Sequence, residues 1–141
     1  MILARIKTIA LILKVNKMNQ NQKFLQNLYE AFNNREIERI ILSMHPNVKW
    51  ANGMEGGFVY GRNQVRDYWR KQFEMIQPQL KPLNFDIDEN DRNLVTVHQI
   101  IRDLDGNLLI EKTVQQIFTI ENGLISIFEI KDAEPFFKND N

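Results

Sequence analysis

The sequence predicts an α+β domain in which helices come first and one long antiparallel sheet follows. Apolar residues recur at helical spacing between Phe24 and Phe73. Beyond Leu83 the chain is rich in Val, Ile, Thr and Phe, in segments that short polar turns separate. Helices that precede the strands, rather than alternating with them, favour packing of the helices on one face of the sheet. A chain of 141 residues suits one such domain, which we expect to cover residues 18–141.

The first seventeen residues differ from the rest, because they contain four basic residues and no acidic one. The apolar residues on one helical face of this segment are Ile2, Ile6, Ile9 and Leu13. The apolar run from Thr8 to Leu13 is shorter than the roughly 20 residues that span a bilayer, and no small-residue cleavage site follows it. We therefore expect neither a membrane span nor a signal peptide.

Three interpretations of residues 1–17 remain: an extra amphipathic helix, an arm that binds a surface, or an extension upstream of a true start at Met18. We favour the extension, because Met18 is followed by the polar residues Asn19 to Gln22 and then by a regular helix.

Three helices are predicted in the first half of the domain. The first has its apolar residues between Phe24 and Phe32, the second between Ile37 and Met44, and the third runs from Arg62 to Met75. Pro78 and Pro82 are expected to end the third helix.

The second half predicts an antiparallel meander that follows one short strand at Val48–Asn52. Its strands are expected at Leu83–Ile87, Leu94–Leu104, Leu108–Ile120 and Leu124–Ile130. A two-residue turn at Asp105-Gly106 would place His98 opposite Thr113 and Arg102 opposite Leu109.

This register gives the hairpin one polar and one apolar face. The polar face carries Thr96, His98, Arg102, Glu111, Thr113 and Gln115. The apolar face carries Val95, Val97, Ile101, Ile110, Val114, Phe118 and Ile120. In one interpretation the polar face is solvated and the apolar face meets the helices, which is the usual arrangement of an antiparallel sheet. In the other, the polar face lines a cavity closed by the helices and the apolar face is a dimer surface.

Composition limits the function classes. The 18 basic and 18 acidic residues balance, and no basic stripe is present, which argues against nucleic acid as the main partner. The chain has no cysteine and only two histidines, too few for a zinc site, and we expect no metal and no cofactor. We expect a cytoplasmic protein.

The stretch from Val48 to Trp69 carries the most specific motif. It contains a strand ending near Trp50, then glycines, then Gly61-Arg62-Asn63-Gln64-Val65-Arg66-Asp67-Tyr68-Trp69. With the two preceding helices and the terminal Asn122-Gly123-Leu124-Ile125, this order resembles the nuclear transport factor 2-like superfamily, in particular its SnoaL-like and ketosteroid-isomerase-like members. The resemblance covers roughly residues 24–132.

The resemblance implies a cystatin-like cone fold, in which a conical, curved antiparallel sheet carries three helices on its concave face. Sheet and helices would enclose a cavity for a small ligand, and the outer sheet face would form a homodimer.

The resemblance also implies roles for single positions. The general base of steroid isomerases falls on Asn52, whose amide cannot transfer a proton. The carboxylic acid of their oxyanion hole falls on Gln115 and their third-helix tyrosine on Trp69. The Asp-Arg-Asp set of epoxide hydrolases of this fold is replaced by His98, Thr96 and Ile130. Neither chemistry is therefore matched.

The predicted site unites the polar face with the aromatic residues of the motif. We expect His98 to act as acid or base, because an unperturbed imidazole titrates near ~6.5. Asn52 and Gln115 would be its polar stabilisers. The expected ligand-binding residues are Trp50, Tyr68, Trp69, Thr96, Arg102 and Glu111.

The function this site predicts is binding of a small apolar or aromatic carbonyl or hydroxyl compound. Catalysis, if it occurs, would be cofactor-independent proton transfer of the isomerase, cyclase or dehydratase type. The alternative is a non-catalytic module for ligand binding or dimerisation.

Overall fold

A computed structural model describes residues 1–131 and contains three helices and six strands in that part of the chain. The helices are α1 (Ile2–Asn33), α2 (Ile37–Leu42) and α3 (Gly61–Met75). The strands are β1 (Met44–Ala51), β2 (Phe58–Tyr60), β3 (Ile76–Ile87), β4 (Asn93–Asp103), β5 (Leu108–Glu121) and β6 (Leu124–Ile130). Residues 132–141 of the predicted domain lie outside the described residues.

The strands form one curved sheet in the order β2-β1-β6-β5-β4-β3. The predicted meander is confirmed, because β3, β4, β5 and β6 pair antiparallel in chain order. β1 returns to pair parallel with β6, so the sheet is mixed. Three helices packed on a curved, unclosed sheet confirm the predicted α+β cone.

The third strand is longer than predicted. β3 begins at Ile76, directly after α3, and includes both Pro78 and Pro82. These prolines do end the helix, but they do not exclude a strand, because β3 lies at the edge of the sheet. An edge strand tolerates residues without an N–H group on its unpaired side.

The first helix is continuous through residues 2–17, the basic segment that precedes Met18. Every residue from Met1 to Gln20 is exposed, and the first buried residue of α1 is Leu25. Packing on the sheet therefore uses only the last third of the helix. No helix among residues 1–131 combines the length and apolar character that a membrane crossing requires.

The core lies between the concave sheet face and the helices. It contains Leu25 and Phe32 from α1, Val65 from α3, and Val97 and Phe118 from the sheet. A second, smaller cluster consists of Met54, Tyr68, Ile76 and Ile101. The space between these two clusters is where the candidate site forms.

The motif at the start of α3 serves mainly to join helix and sheet. Gly61 adopts a φ of 78°, a left-handed conformation that glycine favours. The next residue, Arg62, donates from Nε to the Met44 carbonyl oxygen at 2.9 Å and so ties α3 to the start of β1. Val65 is fully buried. The motif thereby presents Tyr68 and Trp69, one turn later, to the interior of the cone.

Candidate functional site

A cavity of about 490 Å³ lies between the concave face of the sheet and the helices. This volume is in the range of small-molecule sites. Seven aromatic side chains contribute to its wall: Tyr29, Phe32, Trp50, Tyr68, Trp69, Phe118 and Phe128. Its size and lining suit a flat, apolar ligand.

The two tryptophans of the chain both belong to this wall. Trp50 stacks on Phe128 with ring centroids 4.2 Å apart, and Trp69 meets Phe32 edge-on at 4.8 Å. The indole N–H groups of Trp50 and Trp69 are buried and find no acceptor among residues 1–131. The rings are therefore held by packing, as a rigid aromatic surface.

A buried polar pair interrupts the aromatic wall. The Tyr29 hydroxyl donates a 2.6 Å hydrogen bond to Oε1 of Gln116, and both residues line the cavity. Burial raises the pKa of Tyr29 well above its ordinary value, so the phenol stays protonated and acts as donor. Because this bond occupies the amide oxygen, the Gln116 Nε2 group is left to donate, and no residue among 1–131 accepts from it. The cavity thus has an oriented amide donor.

A short loop covers the cavity beside α3. The Asn52 side-chain oxygen accepts from the backbone N–H groups of Met54 and Glu55, at 3.1 and 3.0 Å, and so shapes the loop. Met54 is buried although it lies outside any helix or strand. Burial raises the pKa of Tyr68, which packs beneath this loop with Met54. Asn52 itself does not line the cavity, so its predicted place as a polar stabiliser there is wrong.

The prediction that the polar face of the hairpin lines the cavity is wrong for four of its six residues, because only Thr113 and Gln115 contribute to the lining. The concave face carries Val95, Val97, Gln99 and Ile101 of β4, and of these Gln99 and Ile101 line the cavity. Thr96 and His98 alternate with them and lie on the convex face, away from the helices. His98 Nε2 is 3.8 Å from Glu111 Oε1 there, with both side chains more than a third exposed. The imidazole is therefore a partner of Glu111 on the outer surface.

The predicted register itself is largely correct, and only its orientation is inverted. His98 lies opposite Thr113, Ile100 opposite Glu111 and Thr96 opposite Gln115. A bulge between Ile101 and Arg102 places Arg102 opposite Leu108 instead of Leu109, and Arg102 Nη1 donates to the Gly106 carbonyl. The inversion has a simple cause, because burying the row with Val95 and Val97 removes more apolar surface from water.

The structure thus brings together four of the nine predicted site residues, namely Trp50, Tyr68, Trp69 and Gln115. Asn52, Thr96, His98, Arg102 and Glu111 lie elsewhere. Gln115 lies next to Gln116 on β5 and pairs with Thr96 of the convex row. The amide that Tyr29 orients in the cavity is therefore that of Gln116 and not that of Gln115.

The polar cavity residues that the predicted site missed include Tyr29, Gln99, Lys112, Gln116 and Lys131. Gln99, Lys112 and Gln116 alternate with Val97, Val114 and Phe118, so each is a polar residue inside an apolar row. That interruption is the signal that could have identified them.

Among residues 1–131, no three His, Asp or Glu side chains cluster in a way that could hold a metal ion. The described cavity therefore offers contact with aromatic rings, hydrogen bonding from amide and hydroxyl groups, and two lysines as its charged side chains.

Comparison with known proteins agrees with this geometry. The SnoaL-like domain family matches residues 25–128, which is well over half of the chain. The chain belongs to the SnoaL-like domain family. The match begins at the first buried residue of α1, so it leaves out the exposed segment of that helix. No match was found among curated proteins.

Solved structures share the same cone. A nuclear transport factor 2-like protein of unknown function from Burkholderia pseudomallei is 24% identical over 79% of this chain and 88% of its own, with a TM-score of 0.68. TerC, co-crystallised with polyporic acid, is 22% identical over 79% and 89%, with a TM-score of 0.66. A putative polyketide cyclase from Sinorhizobium meliloti is 19% identical over 77% and 94%, with a TM-score of 0.65. At these identities the likeness concerns the fold alone.

Proposed function

We propose that this SnoaL-like protein binds a flat, apolar or aromatic carbonyl compound in its cavity. The observation that carries the proposal is the Tyr29–Gln116 pair, in which a hydrogen bond between two buried residues directs an amide donor within a largely aromatic wall. Gln116 Nε2 is not among the fully buried unpaired atoms of residues 1–131, so a ligand oxygen in the cavity can accept from it, and such a hydrogen bond contributes about 0.5–1.5 kcal/mol. The aromatic wall supplies the contact area, and the amide supplies orientation.

The shape of the site supports a ligand of two or three fused or linked rings. The cavity of about 490 Å³ is flanked by Trp50 and Trp69, whose rings are fixed by neighbouring aromatic side chains. TerC, a protein with the same fold, was crystallised with polyporic acid. A planar carbonyl compound would satisfy both the wall and the amide of this chain.

A direct test uses 4-acetylbiphenyl, a neutral aromatic ketone, as the probe. Both tryptophans of the chain line the cavity, so quenching of tryptophan fluorescence reports its occupation. We expect Gln116→Met to weaken binding about fivefold, as expected for one lost hydrogen bond of about 1 kcal/mol. Binding of biphenyl, which lacks the carbonyl oxygen, should change little in the same variant.

His98→Ala is the matched control, because His98 lies on the convex face. If the ketone did not bind to the wild-type protein, or if His98→Ala weakened binding as much as Gln116→Met, the proposed site would be refuted.

A second candidate is cofactor-independent proton transfer on the bound carbonyl compound. The Gln116 amide favours it, because a fixed donor stabilises the negative charge that develops on the oxygen of an enolate. No carboxylate or imidazole from residues 1–131 lines the cavity to accept the proton. NMR can follow deuterium exchange of the acetyl methyl protons of 4-acetylbiphenyl in D2O. If the protein does not accelerate this exchange over buffer, proton transfer is refuted and binding remains the proposed function.

A further inference from the structure

We propose that the cavity selects ligands that carry an acidic group at one end, and that Lys112 and Lys131 hold this group at the cavity mouth. The proposal rests on the function proposed above and adds the chemical class of the ligand: an amphiphilic aromatic acid. Its starting point is the distribution of charge along the cavity wall.

The described lining contains two charged residues, and both are lysines. No Asp or Glu among residues 1–131 contributes to the wall. Between residues 18 and 131 the chain has 13 basic and 15 acidic residues, so this part of the domain, with both cavity lysines included, has a net charge of −2. A wall whose charged side chains among residues 1–131 are both cationic, in a mildly acidic domain, favours anionic ligands over cationic ligands of the same shape.

The two lysines belong to the polar part of the wall. Lys112 lies directly opposite Gln99 in the β4–β5 ladder, in the same concave row as Val114 and Gln116. Lys131 follows β6, and its backbone N–H donates to the Gln115 carbonyl oxygen at 3.0 Å. Both lysines are exposed, whereas Gln116 is buried. The wall therefore changes from buried aromatic rings to exposed ammonium groups.

This gradient matches a ligand with two unlike ends. Burying a carboxylate among the aromatic rings would carry a large desolvation penalty. At the exposed lysines the carboxylate stays hydrated while the rings fill the apolar part of the cavity. A ligand carbonyl oxygen would still reach the Gln116 amide. The lysines thus select an acid without a buried ion pair.

The test compares biphenyl-4-carboxylate with biphenyl-4-carboxamide, which has the same shape and no charge. We expect the wild-type protein to prefer the carboxylate by about two- to fivefold, the range of exposed ion pairs. The preference should fall in Lys112→Gln and Lys131→Gln, disappear in the double variant, and decrease as salt is added. Calorimetric titration measures all four proteins with both probes.

Lys81→Gln is the matched control. Lys81 is an exposed lysine on β3 that lies opposite His98, outside the cavity wall, and its loss should leave the preference unchanged. Equal binding of both probes to the wild-type protein, or a preference that survives in the double variant, would overturn the inference and leave the proposed function standing. Failure of both probes to bind would refute the cavity function and the inference together.

Discussion

The concave and convex faces of the β4–β5 hairpin are both partly polar, and they differ in what the polar residues contact. On the concave face Gln116 accepts from Tyr29 of α1, inside a row that includes Val97 and Phe118. On the convex face His98 meets Glu111 across the strands, with both side chains partly exposed. A polar residue in a buried row needs a particular partner, whereas one on an open face can use water. Isolated polar residues in an apolar row are therefore better markers of a site than a polar face.

The largest effect that this comparison predicts is on stability. Phe118→Ala removes a buried ring that contacts Tyr29, Trp50 and Phe128. We expect a loss of about 3–5 kcal/mol in the free energy of unfolding, measured by urea denaturation. Lys81→Ala, at an exposed position opposite His98 and outside the cavity wall, should change it by less than about 0.5 kcal/mol. Similar losses in the two variants would contradict the assignment of the faces.

A second prediction concerns the homodimer expected through the outer sheet face, which is the convex face here. Ile100 is half-buried on that face, opposite Glu111. If the face forms the dimer, Ile100→Glu should weaken it by about 2 kcal/mol or more, because a carboxylate would be buried without a partner. Sedimentation equilibrium measures the change. A wild-type monomer, or an unchanged dimer in the variant, would contradict the interface.

Alkaline pH should lower the free energy of unfolding through Tyr29 and Tyr68, the two buried tyrosines of the cavity wall. Burial raises the pKa of Tyr29 and of Tyr68 above the ordinary value of 10.0. Below pH 10 both phenols are protonated in folded and unfolded chains, so stability is unaffected. Above it the unfolded chain releases these protons first, and stability falls as the pH rises towards the folded pKa values.

Tyr29→Phe sharpens this prediction. The variant should lose about 1 kcal/mol at pH 8, because Gln116 Oε1 loses its donor, and it should then lose less stability than the wild type between pH 10 and 11. Urea denaturation at several pH values provides the measurement. Identical alkaline slopes would show that Tyr29 is not the group responsible.

The sequence was enough to predict the architecture and part of the site. Helical spacing and β-rich segments located the main elements, and β6 begins at Leu124 and ends at Ile130 as expected. The start of α3 identified Trp50, Tyr68 and Trp69 as one neighbourhood, and all three line the cavity. These features depend on local patterns, which a sequence carries directly.

The orientation of the hairpin depended on long-range packing and was predicted wrongly. Alternation defines two faces but does not state which one the helices cover. Tyr29 and Gln116 are 87 positions apart, and the local sequence around neither residue predicts their hydrogen bond. Asn52 was assigned to the cavity by its position in the motif, whereas its oxygen shapes a loop. Contacts between distant segments decided the first two points, and a local contact between the Asn52 side chain and the backbone decided the third.

The smallest predicted effect concerns the exposed start of α1, which contributes to neither face. Because no residue before Leu25 is buried in this helix, deleting residues 1–17 should change the free energy of unfolding by less than about 0.5 kcal/mol and leave probe binding unchanged. The remaining helix would still present Leu25, Tyr29 and Phe32 to the sheet. A longer deletion, of residues 1–29, should abolish folding, because it removes the buried part of α1 that covers the sheet and closes the cavity. Loss of probe binding in the shorter deletion would show that the segment takes part in the site.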